Sequence, residues 1–255
     1  MKRHLALFAA LLAIALPVQA EALKIGIEGR YPPFEMVDNQ GNLHGFNVEL
    51  GRALCEEMKV QCSFVRTEWN DLIPNLLARR IDVILSSMDI TEDREKQVMF
   101  TDPYAHSPAF FVAKKGRFPF VFISPQRVEG VTIGVEENTS YDAYLSSKFA
   151  DRAIIRRYKT SSALYNALAQ GEVKLALMDG TAAYYGFFQT PAGQGFELVG
   201  SALKEQRYFG RGQGIALRKD ELVLRDRFNK ALKSLIAGGV YNSISSRHFV
   251  FNLRN

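Results

Sequence analysis

An alternation of short apolar runs with helix-like stretches, occurring twice, constrains this chain more than any other feature. Leu23-Lys24-Ile25-Gly26-Ile27 alternates apolar with small or polar residues and reads as a strand. Asn47, read as a cap, opens a helix to about Met58 with Val48, Leu54, Cys55 and Met58 on or near one face. Cys62 to Arg66 reads as a strand, Asp71 to Arg79 as a helix and Ile81 to Leu85 as a buried strand. Strand, helix, strand, helix, strand is the pattern of a parallel sheet with crossover connections. It recurs: strands at Phe110 to Ala113 and Val131 to Val135, a helix from about Tyr141 to Phe149, a strand at Ile154 to Tyr158, a helix at Ser161 to Gln170, a strand at Leu175 to Met178 and a helix at Thr181 to Phe188. A late strand, Gly214 to Leu217, and an amphipathic helix from Glu221 to Ala237 follow.

With 255 residues, the chain is long enough for two lobes at roughly 100–150 residues each. No Gly/Ser/Pro linker separates the two α/β units, so we expect lobes joined by extended strands. Ligands of open α/β sheets bind outside the carboxyl ends of the strands. The loops that matter are therefore those after Ile27, Leu85, Val135 and Met178.

Residues 1–20 are a different kind of text. Lys2 and Arg3 precede an apolar run from Leu5 to Val18, which ends in Pro17-Val18-Gln19-Ala20. This predicts a secretory signal cleaved after Ala20. The alternative, a membrane anchor, needs roughly 20 apolar residues, more than this run supplies. No cysteine lies near the boundary for lipid attachment. Basic and acidic residues are interleaved, without the Lys/Arg block that nucleic-acid binding would call for. Cys55 and Cys62 are the only cysteines. Export favours a disulfide, with two buried thiols as the alternative.

The four loops are polar. Glu28, Arg30 and Tyr31 follow Ile27; Ser86 to Arg94 follow Leu85; Asn138-Thr139-Ser140-Tyr141 follow Val135; Asp179-Gly180-Thr181 follow Met178. A free amino acid needs this mixture: a bidentate guanidinium and N–H groups for its carboxylate, and carboxylates with hydroxyls for its ammonium. Arg94, with the N–H groups of Asp89 and Ser140, suits the first task, and Asp179 with Asp89 the second. Each residue also has a plainer reading. Asp179, Thr139 and Ser140 could cap helices, Arg94 could lie on a solvated helix face beside Glu92, Asp93 and Glu95, and Tyr31 and Trp69 could be core residues.

Read together, these segments resemble a known family. Tyr31-Pro32-Pro33-Phe34-Glu35, Gly45 to Leu50, Leu72 to Leu76, Ser87 to Gln97 and Phe100 to Tyr104 stand in the order seen in polar-amino-acid solute-binding proteins of ABC importers, in the lysine/arginine/ornithine-, histidine- and arginine-binding group. The resemblance covers essentially the whole chain after the signal. It implies a periplasmic-binding-protein type II fold: two α/β lobes, a two-strand hinge and a ligand in the cleft. It implies lobe 1 at 21–104 and 214–255, lobe 2 at 110–206, and a hinge at Ala105–Ala109 and Arg207–Gln213. It implies that Arg94 binds the ligand carboxylate, Asp179 the ammonium, and that Ser86, Ser87 and Asp89 form the first-lobe ligand segment. Thr139 and Ser140 match a second-lobe hydroxyl pair, Tyr31 and Trp69 flank the ligand side chain, and Glu28 lies near its tip. It also implies the Cys55–Cys62 disulfide. The chain departs from the pattern at Trp69, at Tyr141 (often Gln or His), at Glu28 (usually Asp) and at the aromatic run Phe118 to Phe122.

Asp89, Asp179 and Glu28 against one Arg94 favour a cationic ligand: arginine, ornithine or lysine. We expect a monomeric periplasmic carrier that closes on this ligand and docks on a membrane ABC permease, with no catalytic residue, cofactor or metal. The alternatives are an exported enzyme on the same fold, similar to cyclohexadienyl dehydratases, with Glu28 as its acid or base, and a sensor module that presents ligand to a receptor.

Overall fold

Two five-stranded mixed sheets organise residues 22–254, the residues described by the computed structural model. The expected signal at 1–20 lies outside them. The strands are β1 (Ala22–Ile27), β2 (Met36–Val37), β3 (Leu43–His44), β4 (Gln61–Arg66), β5 (Val83–Ile84), β6 (Met99–Phe100), β7 (Ala109–Lys114), β8 (Thr132–Glu136), β9 (Ile154–Tyr158), β10 (Leu175–Asp179), β11 (Phe196–Leu203) and β12 (Ala216–Leu217). The helices are α1 (Phe46–Met58), α2 (Leu72–Leu77), α3 (Glu92–Glu95), α4 (Ser140–Lys148), α5 (Ser161–Gln170), α6 (Gly180–Ala182), α7 (Gln206–Phe209), α8 (Leu222–Ala237) and α9 (Val240–His248).

The first sheet runs β4-β1-β5-β12-β6 and the second β11-β7-β10-β8-β9. Each has the expected parallel core: β4, β1 and β5 in one, β9, β8 and β10 in the other. Neither sheet is parallel throughout. β12 enters antiparallel between β5 and β6 because the chain returns to the first sheet from the second. β7 and β11 likewise add an antiparallel edge to the second sheet.

The chain passes between sheets twice, at residues 101–108 and 204–215. The two passages touch: Gln213 bridges both Ala105 and Asp89, and its N–H donates to the Ala105 carbonyl at 2.8 Å. Gly212, at φ 118, permits this approach, since a Cβ there would lie 2.9 Å from the Ala105 carbonyl oxygen. Each lobe has its own apolar core. Phe46, Leu50 and Leu54 on α1 pack with Phe228 and Leu232 of α8 and Tyr241 of α9 in the first, and Phe111, Leu145, Phe149 and Leu177 pack in the second.

Three local expectations are corrected. Gly45, not Asn47, holds the cap position of α1; at φ 113 its missing Cβ would otherwise meet the Phe34 carbonyl at 2.7 Å. Asn47 lies inside the first turn with its side chain buried. The helix expected over Asp71 to Arg79 is a 3₁₀ turn, Trp69–Asp71, followed by the shorter α2, which ends before Arg79 at φ 57. The helix expected over Thr181 to Phe188 is α6 followed by a π-helical turn, Ala183–Phe188.

A Cys55–Cys62 disulfide ties the last turn of α1 to the start of β4. So short a loop limits the denatured-chain entropy it removes, and the bond contributes about 2 kcal/mol. Replacing both cysteines, Cys55→Ala with Cys62→Ala, should lower the melting temperature by about 4–8 °C. Reductant should shift the melting of the parent chain and leave that of the variant unchanged.

Candidate ligand-binding cleft

Parallel strands end at the cleft, and their last residues supply its polar groups. Glu28 follows β1, Ser86 and Ser87 follow β5, Glu136 is the last residue of β8, and Asp179 is the last of β10. One pocket between the lobes is lined by Glu28, Tyr31, Trp69, Ser86, Ser87, Asp89, Arg94, Thr139, Ser140 and Tyr141, the expected set apart from Asp179. Asp179 is 1% exposed and lies behind the pocket, against Tyr31 and Tyr141. Glu136, which sequence reasoning missed, completes the lining.

Arg94 does not lie on a solvated face. Thr91 caps α3 by accepting the Arg94 N–H, while Glu92 and Asp93 point to solvent. Arg94 turns inward over the Trp69 ring, 5.2 Å from its centroid, and Nη1 donates to the Asp89 carbonyl at 3.0 Å. Among the described residues its other N–H groups have no protein partner, so the rest of the guanidinium fork faces the pocket. Asp179 is a cap that lies behind the pocket. Its Oδ1 accepts the Ala182 N–H at 2.9 Å and the Ser107 hydroxyl, and its Oδ2 accepts from Gln213 Nε2 at 3.5 Å.

The lobes meet across the cleft. Ser140 Oγ donates to Asp89 Oδ2 at 2.6 Å, and Trp69 Nε1 to the Asn138 carbonyl at 3.2 Å. Asn70 Nδ2 donates to Glu137 Oε1 at 2.9 Å and Asn138 Nδ2 to Asn70 Oδ1 at 3.0 Å. The conformation is closed.

Behind the first-lobe segment, fully buried Glu35 accepts hydrogen bonds from the Ser86 hydroxyl, Asn47 Nδ2 and the Glu28 N–H. Asn47 Nδ2 also reaches Ser87 Oγ at 3.0 Å, and the Ser87 N–H donates to the Tyr104 hydroxyl at 3.0 Å. This network holds Ser87 at φ 51, a backbone shape costly for any residue but glycine. Glu35 and Asn47 stand in motifs that the sequence reading singled out, yet their role as supports is visible only once the loops are folded together.

Burial dominates the acid–base chemistry. It raises Glu28 to about 7 against the pull of Arg30, Asp89 to about 6 against Arg94 and Ser140, and Glu35 to about 8 against its hydrogen bonds from Asn47 and Ser86. Glu136 rises to about 8 through burial, with Glu28 adding to the rise and the Ser161 hydroxyl opposing it. Asp179 also rises through burial, offset by hydrogen bonds from Ser107, the Ala182 and Thr181 amides and Tyr31. The pocket is acid-rich, with one guanidinium.

Comparison with known proteins places this geometry in context. The model of the bacterial extracellular solute-binding proteins, family 3, matches residues 23–251. An "L-arginine-binding protein" of Pseudomonas aeruginosa is 39% identical over 248 residues, 96% of this chain and 95% of the relative. The "Lysine/arginine/ornithine-binding periplasmic protein" of Escherichia coli is 36% identical over 236 residues, 91% of this chain and 89% of the relative. A solved "ancestral arginine-binding protein bound to arginine" superposes with a TM-score of 0.81 at 29% identity, covering 91% of this chain and 99% of that one.

The raised carboxyl groups fix the sign of the pH dependence. Glu28, Glu35 and Glu136 keep their protons when folded well above 4.5, where an unfolded chain loses them. The folded state therefore holds more protons over that interval, and stability falls as pH rises through it. The unliganded protein should melt highest near about pH 5 and progressively lower toward about pH 9. Glu35→Gln should flatten the decline by up to ~1.4 kcal/mol per pH unit. Asn47 Oδ1, which has no partner among the described residues, becomes an acceptor for the introduced amide once the Asn47 amide turns over. A slope unchanged by the substitution would mean that Glu35 is not held neutral.

Proposed function

The chain belongs to family 3 of the bacterial extracellular solute-binding proteins, and on that premise we propose that it is the periplasmic binding component of an ABC importer that closes around a free basic amino acid, namely arginine, ornithine or lysine. One observation carries the choice of ligand. One pocket between the lobes places a single guanidinium, Arg94, among Glu28, Asp89 and Glu136, with Asp179 directly behind. An acidic ligand would add negative charge to that surplus; a cationic one relieves it. The names of the relatives point the same way.

The geometry supports the following roles. The open edge of Arg94 takes the ligand carboxylate bidentately, helped by the N–H groups of Asp89 and of Ser140 at the start of α4. Asp89 and Asp179, whose Oδ2 has a long contact of 3.5 Å with Gln213 Nε2, take the ammonium. Tyr31, Trp69 and Tyr141 wall the aliphatic part of the ligand, with Ser86, Ser87 and Thr139 at the rim and Glu28 at the far end. Both lobes contribute to these contacts, so the ligand stabilises the closed state by touching both. Bending belongs at Ala105–Ala109 and Arg207–Gln213, where the two passages pair. The mature protein starts after Ala20, acts as a monomer and delivers ligand to the permease.

The protein is a carrier and not an enzyme, as its relatives' names are those of binding proteins. The raised Glu28 would suit an acid catalyst, but its cause here is burial, which a bound cation would offset.

Titration calorimetry tests the proposal. Arginine, ornithine or lysine should bind tightly and glutamate should not. Arg94→Met and Asp179→Asn should each weaken binding by about 100-fold or more, because each strands a buried ligand charge. Tight binding of glutamate or glutamine, with none of the three basic amino acids, would reverse the assignment.

A further inference from the structure

We propose that Glu136 pairs with Glu28 as a two-sided clamp for the far end of the ligand, and that the clamp selects a guanidinium over an ammonium. The proposal rests on the basic-amino-acid reading above and adds the residue that ranks the ligands within it.

Glu136 ends β8 in the second lobe, and Glu28 follows β1 in the first. Both are buried, at 8% and 5% exposure, and both line the same pocket. They are close enough for Glu28 to act on the ionisation of Glu136. Neither carboxylate has an ion-pair partner among the described residues. Arg30, the arginine with the strongest influence on Glu28, is held by Glu68 through both Nη atoms at 2.8 Å. One oxygen of Glu136 accepts the Ser161 hydroxyl and the other has no protein partner among the described residues.

Two acids from opposite lobes need a cation with two separate donor edges. A guanidinium is planar, carries five N–H groups and can present one edge to each carboxylate. An ammonium is a point charge, satisfied by one carboxylate and nearby hydroxyls. A bridging guanidinium also ties the lobes together. Recognition of the side chain and closure then become one event.

Calorimetry with L-arginine, L-lysine and L-ornithine on the mature protein, Glu136→Gln and Glu136→Leu tests this, with Glu28→Gln as comparator. Glu136→Gln keeps an acceptor for Ser161, and thermal melts verify that each variant is folded. Both Glu136 variants should weaken arginine by about 30-fold and lysine and ornithine by less than about threefold, cutting the arginine preference about tenfold. Glu28→Gln should weaken all three. An arginine-to-lysine ratio unchanged in both Glu136 variants, whether all ligands weaken or none, overturns the clamp and leaves the parent reading standing. A parent protein that binds none of the three overturns both.

Discussion

Glu28, Asp89, Glu136 and Asp179 share one cleft with a single guanidinium, that of Arg94, inside two lobes joined by direct hydrogen bonds. Removing a carboxylate from water costs several kcal/mol unless an opposite charge or good donors replace the solvent. The protein supplies donors to some of these groups and counter-charge to few, so the acids hold their protons to unusually high pH. A ligand carrying more positive than negative charge is the one addition that lets them ionise without leaving the cleft. The fold can be understood as the means of assembling this deficit from distant stretches of chain.

Strand direction does that assembling. Parallel strands in both sheets end at the same seam, so residues far apart in sequence become neighbours without specialised loops. Side chains at the seam serve twice. Asp179 caps α6 and lies directly behind the pocket; Thr139 caps α4 and lines it. The plainer reading of these residues as caps and the functional one are compatible, because a helix N-terminus and an anionic or hydroxyl ligand group meet at one place. Glu35, Asn47 and Tyr104 form a second layer that touches no pocket surface and fixes Ser86 and Ser87 from behind.

How much of this the sequence revealed depended on how local the signal was. The strand Ile154–Tyr158 and the helix Ser161–Gln170 fall where the apolar pattern of the sequence places them, the helix capped by Thr160 and ended by Gly171. The strand expected at Gly214 to Leu217 is present as β12, but its antiparallel direction could not be read, since it depends on a passage through the other lobe. The α9 helix was missed because its serines mask a pair of buried positions, Tyr241 and Ile244. β11 was missed because Gly200 interrupts its pattern with a register shift. Apart from Trp69, the expected pocket residues lay in the loops that the strand-end rule singled out, and the family resemblance gave them their roles. Glu136 lies between the apolar strand ending at Val135 and the polar run at Asn138, a place the strand-end rule covers but the loop reading did not include. Glu35 was quoted as part of a motif, but no local pattern distinguishes a supporting acid from an exposed one.

Trp69 has a separate consequence. It is the only tryptophan in the chain, it stacks under Arg94, and its indole N–H reaches across to the other lobe. All indole emission therefore originates at the seam, beside a cation and within reach of the moving lobe. The ultraviolet fluorescence of the unlabelled protein thus reports on one place, and a change in its intensity or wavelength on adding a solute reads the opening and shutting of the cleft without an introduced dye.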